Sequence, residues 1–237
     1  MTASRPSDPF AARRATHPSG AGTLEAFIRA VTLADAEALR AFKRQALAET
    51  EYLLQGLEDF DDRSDAETET VARFQQQPNC LLLVAVQPGP DGRTAGLGAV
   101  SRFYRPKQPN AQTGHDGSRI VGLASVVGGH LHRTRHVGTM SVAVLQQCWR
   151  RGIATRLMRA AVEWARTGGE LQKLTLQVHA SNVPAWALYR SLGFVEEGRL
   201  RGEARVGPGF DDLVPMGLWL HGAPPPLPPR RGGPQEV

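Results

Sequence analysis

The segment MSVAVLQQCWRRGIATRLMRAAVEWA, residues 140–165, constrains this chain more than any other stretch. It opens as a strand with Val142 and Val144 on one face, turns through polar residues, and continues as a helix. Ile153, Leu157, Ala161 and Trp164, with Ala160 and Ala165, recur at the spacing of one buried helical face. Gly168-Gly169 supplies the stop. The turn, Trp149-Arg150-Arg151-Gly152-Ile153-Ala154, suits an anion. The first N–H groups of a helix lack partners within it, and the aligned peptide dipoles add positive charge there. A pyrophosphate could use both features. Gly152 keeps a Cβ out of its path, Ala154 is small, Thr155 offers a hydroxyl, and Arg150 and Arg151 bring charge. On its own, a Gly-x-Ala at a helix start reads equally well as an ordinary small-residue start.

Around this segment, strand and helix signals alternate. Leu24 to Val31 reads as a strand and Ala34 to Tyr52 as a helix; Asp65 to Gln77 is a second helix, ended by Pro78. Leu81 to Val86 is a short apolar run of buried-strand type. Ile120–Val127 and Val137–Leu145 are strands joined by a basic, His-containing turn. The helix Gly152–Arg166, the strand Leu171–Val178 and the helix Val183–Leu192 follow. Phe194–Val206 and Asp211–Leu220 close the domain as a hairpin across Gly207-Pro208-Gly209. The fold class is α/β (α+β): a mixed central sheet of about six to seven strands flanked by about four helices.

Two sister segments, DGRTAGLGAV and DGSRIVGLASV, compete for the place after Leu81–Val86. The second is expected to pair, since it runs straight into the next strand, which makes residues 88–118 an insertion. Residues 1–22, rich in Ser, Pro, Ala and Arg, and the proline-rich residues 221–237 are expected to be disordered tails around a domain spanning 23–220.

Composition narrows the function classes. Apolar residues make up 41% and charged residues 22%, the balance of a globular protein. No run approaches the roughly 18–20 apolar residues of a membrane span, and the N-terminus lacks the apolar core of a secretory signal, so a cytoplasmic location is the default. Cys80 and Cys148 have neither disulfide-framework nor metal-type spacing; both read as free thiols, and no metal is expected. The net charge of +5 is partly carried by Arg5, Arg13, Arg14, Arg230 and Arg231 in the tails. Without zinc spacing, aromatic RNA-binding stretches or a basic recognition helix, it does not point to nucleic acid.

The 140–165 segment resembles the acetyl-CoA motif of the GNAT (Gcn5-related N-acetyltransferase) superfamily, [Gln/Arg]-x-x-Gly-x-[Gly/Ala] after a Val-x-Val strand. VHASNVPAWALYRSLGFVEEG, residues 178–198, is similar to that superfamily's next motif, with Asn182, Ala185, Leu188, Tyr189, Gly193 and Phe194 at the matching positions. FIRAVTLADAEALRAF, residues 27–42, is similar to the first strand and helix of many members. The first motif position, Gln or Arg in the family, is Trp149 here, and Gln146 stands where many members have proline.

The resemblance implies an acetyl-CoA-dependent N-acetyltransferase acting by direct transfer to a primary amine, on a small molecule or a protein N-terminus. It leaves room for a homodimer. It implies a cofactor site built from Val142, Ala143, Val144, Trp149, Arg150, Arg151, Gly152, Ile153, Ala154, Thr155, Asn182, Ala185 and Tyr189. Tyr189 would protonate the departing sulfur. For the general base, Glu49, Glu51, Ser141 and His179 are candidates by position. Cys148 lacks a His/Asp pattern that would make it a nucleophile. An acidic run between the first two helices, Glu49 through Glu69, borders the acceptor side in this family and could draw in a cationic amine, or be a solvated loop. A catalytically degenerate acyl-CoA-binding module is the alternative.

Overall fold

The fold rests on a computed structural model of the chain, which describes residues 26–88 and 118–222. The tails and most of the 88–118 insertion expected from the sequence lie outside those residues. The order is β1 (Phe27–Ala30), α1 (Ala36–Glu49), α2 (Ala66–Gln76), β2 (Leu81–Gln87), β3 (Arg119–Gly128) and β4 (Val137–Val144). Then come α3 (Ile153–Gly168), β5 (Lys173–His179), α4 (Val183–Ser191), β6 (Val195–Glu196), β7 (Leu200–Val206) and β8 (Gly209–Trp219). The strand following β2 is indeed the DGSRIVGLASV segment.

The eight strands form one sheet in the order β1-β2-β3-β4-β5-β8-β6, with β7 also on β8. β4 and β5 run parallel and every other neighbour antiparallel. β2 is buried along nearly its whole length, so it needs cover on both faces. On one face lies α3, which sinks Ile153, Leu157, Met158, Ala161, Val162 and Ala165. It approaches so closely that a Cβ at Gly122 of β3 would stand 3.0 Å from Leu157 Cδ1. On the other, α1 buries Leu39, Phe42 and Ala46 at helical spacing. A Lys43–Glu67 ion pair at 2.6 Å ties α1 to α2. Leu157 is fully buried, and its truncation to Ala would cost about 2–5 kcal/mol.

Side-chain alternation assigns the faces. Gly122, Ala124 and Val126 of β3 sit opposite Val144, Val142 and Met140 of β4, on the α3 side. Leu174, Leu176 and Val178 of β5 share that side, since Leu174 lies 3.1 Å from a Cβ built on Gly138. Ser125, Ser141, Ala143, Thr175, Gln177 and His179 therefore face the other way.

The sheet has one strand more than the upper sequence expectation. The single strand expected over Phe194–Val206 is broken into β6 and β7, and Pro215 explains why. Glu197 donates its N–H to the Pro215 carbonyl at 2.9 Å, but Pro215 has no N–H to return. The strand peels off there and resumes at Leu200, opposite Leu213. The closing turn forms as expected, with Val206 paired to Gly209 across Gly207 and Pro208.

Candidate active site

The parallel pair β4–β5 is incomplete. Pairing joins Val137 to Lys173, Gly138 to Leu174 and Thr139 to Thr175, and then stops. Beyond it the strands splay, while β4 stays paired to β3 and β5 to β8. The Leu145 N–H goes to Val121 and the Val137 carbonyl to Gly129, so odd-numbered residues of β4 point their main chain at β3. The main-chain groups of Val142 and Val144 thus face the gap. On the far side, those of Gln177 and His179 do the same, because the alternate residues are committed to β8. Such an unpaired edge can accept an extended, amide-bearing molecule as an added strand.

At the open end of this gap the chain turns into α3. Arg150 has φ of 60° and Gly152 has φ of 73°, the former the only non-glycine with positive φ among the described residues. With Arg151 between them, the sign of φ alternates, which turns successive N–H groups toward a common point. A Cβ built on Gly152 would meet nothing within 4 Å, so the glycine meets a backbone need and keeps the space clear. No side chain caps α3, and its first helical bond runs from Arg156 N–H to the Gly152 carbonyl. The N–H groups of Gly152, Ile153, Ala154 and Thr155 have no partner among the described residues. Arg150 and Arg151 are exposed beside them. Unsatisfied donors, a dipole and two guanidinium groups are what an anion needs, which makes this turn a candidate anion site. The residues fit the pyrophosphate and pantetheine of acetyl-CoA.

The other expected site residues sort into distinct roles. Ile153 buries its side chain in the core and offers only its main chain. Ala143 faces away from Val142 and Val144, toward the opposite side of the sheet. Trp149, 40% exposed, donates its indole N–H to the Val144 carbonyl at 2.6 Å, so it occupies one acceptor of the open edge. Asn182 caps α4, its Oδ1 accepting the Ala185 N–H at 3.2 Å, with Pro184 in the first turn.

α4 ends in a Schellman motif. Gly193 has φ of 93°, the Phe194 N–H reaches the Tyr189 carbonyl, and the Gly193 N–H reaches Arg190. The hydrophobic contact of that motif is Tyr189 against Phe194, ring centroids 6.2 Å apart. This fixes Tyr189 on the α3 side of the sheet, where a Cβ on Gly193 would touch Leu218 at 3.4 Å. Tyr189 is 9% exposed, and desolvation pushes its hydroxyl up to about 12. Its hydroxyl has no hydrogen-bond partner among the described residues.

Glu49 and Ser141 are engaged. Glu49 Oε2 accepts the Gln146 N–H at 2.6 Å and Oε1 accepts from Gln45, whose own oxygen takes Arg119. Ser141 is hydrogen-bonded to Ser125 at 2.7 Å. Glu51 is exposed and His179 buried. Burial pushes the Cys148 thiol above its ordinary value, outweighing the lowering by Arg151 and Arg119, which is the opposite of what a nucleophile needs. Among the described residues, no group of three or more His, Cys, Asp or Glu could hold a metal ion. No helix among them is long and apolar enough to cross a membrane.

The sheet thus carries a split parallel pair beside an uncapped helix start. The chain belongs to the acetyltransferase (GNAT) family, whose sequence profile matches residues 54–194. It is similar to an N-alpha-acetyltransferase of Saccharolobus solfataricus, 39% identical over 36% of this chain and 47% of that protein. It is also similar to the spermidine N(1)-acetyltransferase of Escherichia coli, 30% identical over 45% of this chain and 55% of that protein. These matches span about half the length of each relative. Among solved structures, a GNAT acetyltransferase from Streptococcus pneumoniae superposes with a TM-score of 0.67 at 25% identity, covering 82% of this chain and 99% of that one. A Salmonella typhimurium protein solved with its cofactor acetyl-CoA superposes at 0.63 with 19% identity, covering 85% and 98%.

Proposed function

We propose that this chain transfers an acetyl group from acetyl-CoA directly to an amine, with both substrates bound together. The observation that carries this reading is the open main-chain edge of β4 leading onto the uncapped start of α3. Bound acetyl-CoA supplies an activated acyl carbon with a thiol leaving group. The N–H groups of residues 152–155 hold its pyrophosphate, Arg150 and Arg151 add charge, and the Val142 main chain aligns its amides. Main-chain N–H groups of β4 polarise the thioester carbonyl. Tyr189 holds a proton at its hydroxyl for the departing sulfur. Burial raises the tyrosine, and it raises a thiolate placed beside it as well, so the two remain matched.

The acceptor side is the opposite face of the sheet, around Ser141, Thr175 and Gln177. The relatives named for N-termini and spermidine make primary amines the class to try first. The alternative, a binding module without turnover, is disfavoured by the presence of Gly152, Ala154, Asn182 and Tyr189 together at the motif positions. The test is CoA release over peptides with free N-termini, amino acids and polyamines. Tyr189→Phe should keep acetyl-CoA affinity while kcat falls about 100-fold. Unchanged turnover removes the tyrosine's role; acetyl-CoA binding with no turnover on any acceptor leaves the module.

A further inference from the structure

The mechanism above uses no proton acceptor, yet the acceptor face holds one buried and unaccounted for. His179 ends β5, is 3% exposed, and neither ring nitrogen makes an aligned hydrogen bond among the described residues. Its Nδ1 lies 3.3 Å from Asp211 Oδ2, on the first residues of β8. That carboxylate is itself held firmly: Oδ2 accepts the Ser181 hydroxyl at 2.6 Å and the Ser181 N–H at 3.3 Å, and Oδ1 accepts the Asp212 N–H at 2.8 Å. Burial works to raise Asp211, but these donors and the imidazole hold it below its ordinary value. The edge of the ring meets Tyr52, from the segment after α1, with centroids 5.7 Å apart. Tyr52 is itself exposed, so the ring packed on the imidazole lies at the surface.

We propose that His179 is the proton acceptor for the substrate amine, with Asp211 as its positioning residue. This rests on the amine-acetylating reading above. A carboxylate beside Nδ1 draws the proton to that nitrogen and leaves the Nε2 lone pair free. A buried polar atom without a partner is costly, and an incoming ammonium group would supply the missing partner. His179 shares its sheet face with Ser141, Thr175 and Gln177, at the gap where the main chain is open. Displacement of Tyr52 by the acceptor, or one water, bridges the remaining cover. The titratable groups touching the ring are Asp211 from β8 and Tyr52 from the segment after α1.

The step balances. An N–H bond of the ammonium breaks and an Nε2–H bond forms, giving an imidazolium beside the Asp211 carboxylate. The freed nitrogen lone pair forms the C–N bond as the C–S bond breaks, and Tyr189 protonates the sulfur. The nitrogen's second proton restores Tyr189, and the imidazolium returns its own to solvent.

The experiment follows CoA release with acetyl-CoA and a single acceptor, the best of a free-N-terminus peptide panel plus spermidine. H179Q should lower kcat/KM about 100-fold with acetyl-CoA affinity unchanged. Imidazole added to H179A should restore part of the rate. D211N should lower kcat at least about 10-fold with the KM for the acceptor little changed, because the ring has lost the carboxylate that orients it. Should H179Q fail to fold, the D211N kinetics decide. Unchanged kcat/KM in folded H179Q, or unchanged kcat in D211N, overturns the assignment. A wild-type protein that turns over no acceptor overturns the parent reading instead, and this one with it.

Discussion

Two helices begin beside the same gap, and they begin differently. α4 starts on Asn182, which caps the Ala185 N–H, and on Pro184, whose missing donor does no harm. α3 starts on Gly152, uncapped, after an arginine held in the left-handed region. By local rules the first start is well built and the second poorly built: a cap is worth about 1 kcal/mol, and a left-handed non-glycine costs about 1–2 kcal/mol. The poorly built one leaves free every donor that a phosphate would want. Broken local rules cluster where a ligand completes the structure.

The contrast can be broken or sharpened in graded steps. Gly152→Asp places a carboxylate among the orphan donors at a positive φ; acetyl-CoA affinity should fall at least about 100-fold in calorimetry. Retained affinity would separate the uncapped helix from the ligand. Arg150→Gln with Arg151→Gln should weaken affinity about 10-fold at low salt and much less at high salt, since exposed charges are screened. Asn182→Ala should lower stability by about 1 kcal/mol in urea titration, with Asn182→Asp restoring most of it. A pH-dependent effect is set by the stop of α4. Tyr189 is raised from 10.0 to about 12, so its contribution is complete below pH 10 and is lost as pH rises toward 12. Tyr189→Phe should flatten that alkaline decline in thermal melts.

Much of this was legible because it is written locally. The buried stripe of α3, the Asn182 cap, the Gly193–Phe194 stop and the Gly207–Pro208 turn are each encoded within a few neighbouring residues. The break between β6 and β7 also had a signal, Pro215, whose effect depends on which neighbour its nitrogen faces, and pairing order is not local. The left-handed Arg150 had none, since arginine does not favour that region. Nor did the His179–Asp211 contact, which joins residues brought together only when β8 lies beside β5. Glu49 looked free as a base; the fold spends both its oxygens on Gln146 and Gln45.

Trp149 gives the molecule a built-in reporter. Of the four tryptophans, Trp164, Trp186 and Trp219 are partly buried, whereas Trp149 stands more exposed at the mouth of the gap with its indole N–H on Val144. The emission of an indole depends on its hydration and on what its N–H binds. A molecule sliding along β4 changes both at once, so ligand arrival can be timed by intrinsic fluorescence, and Trp149→Phe should silence that signal.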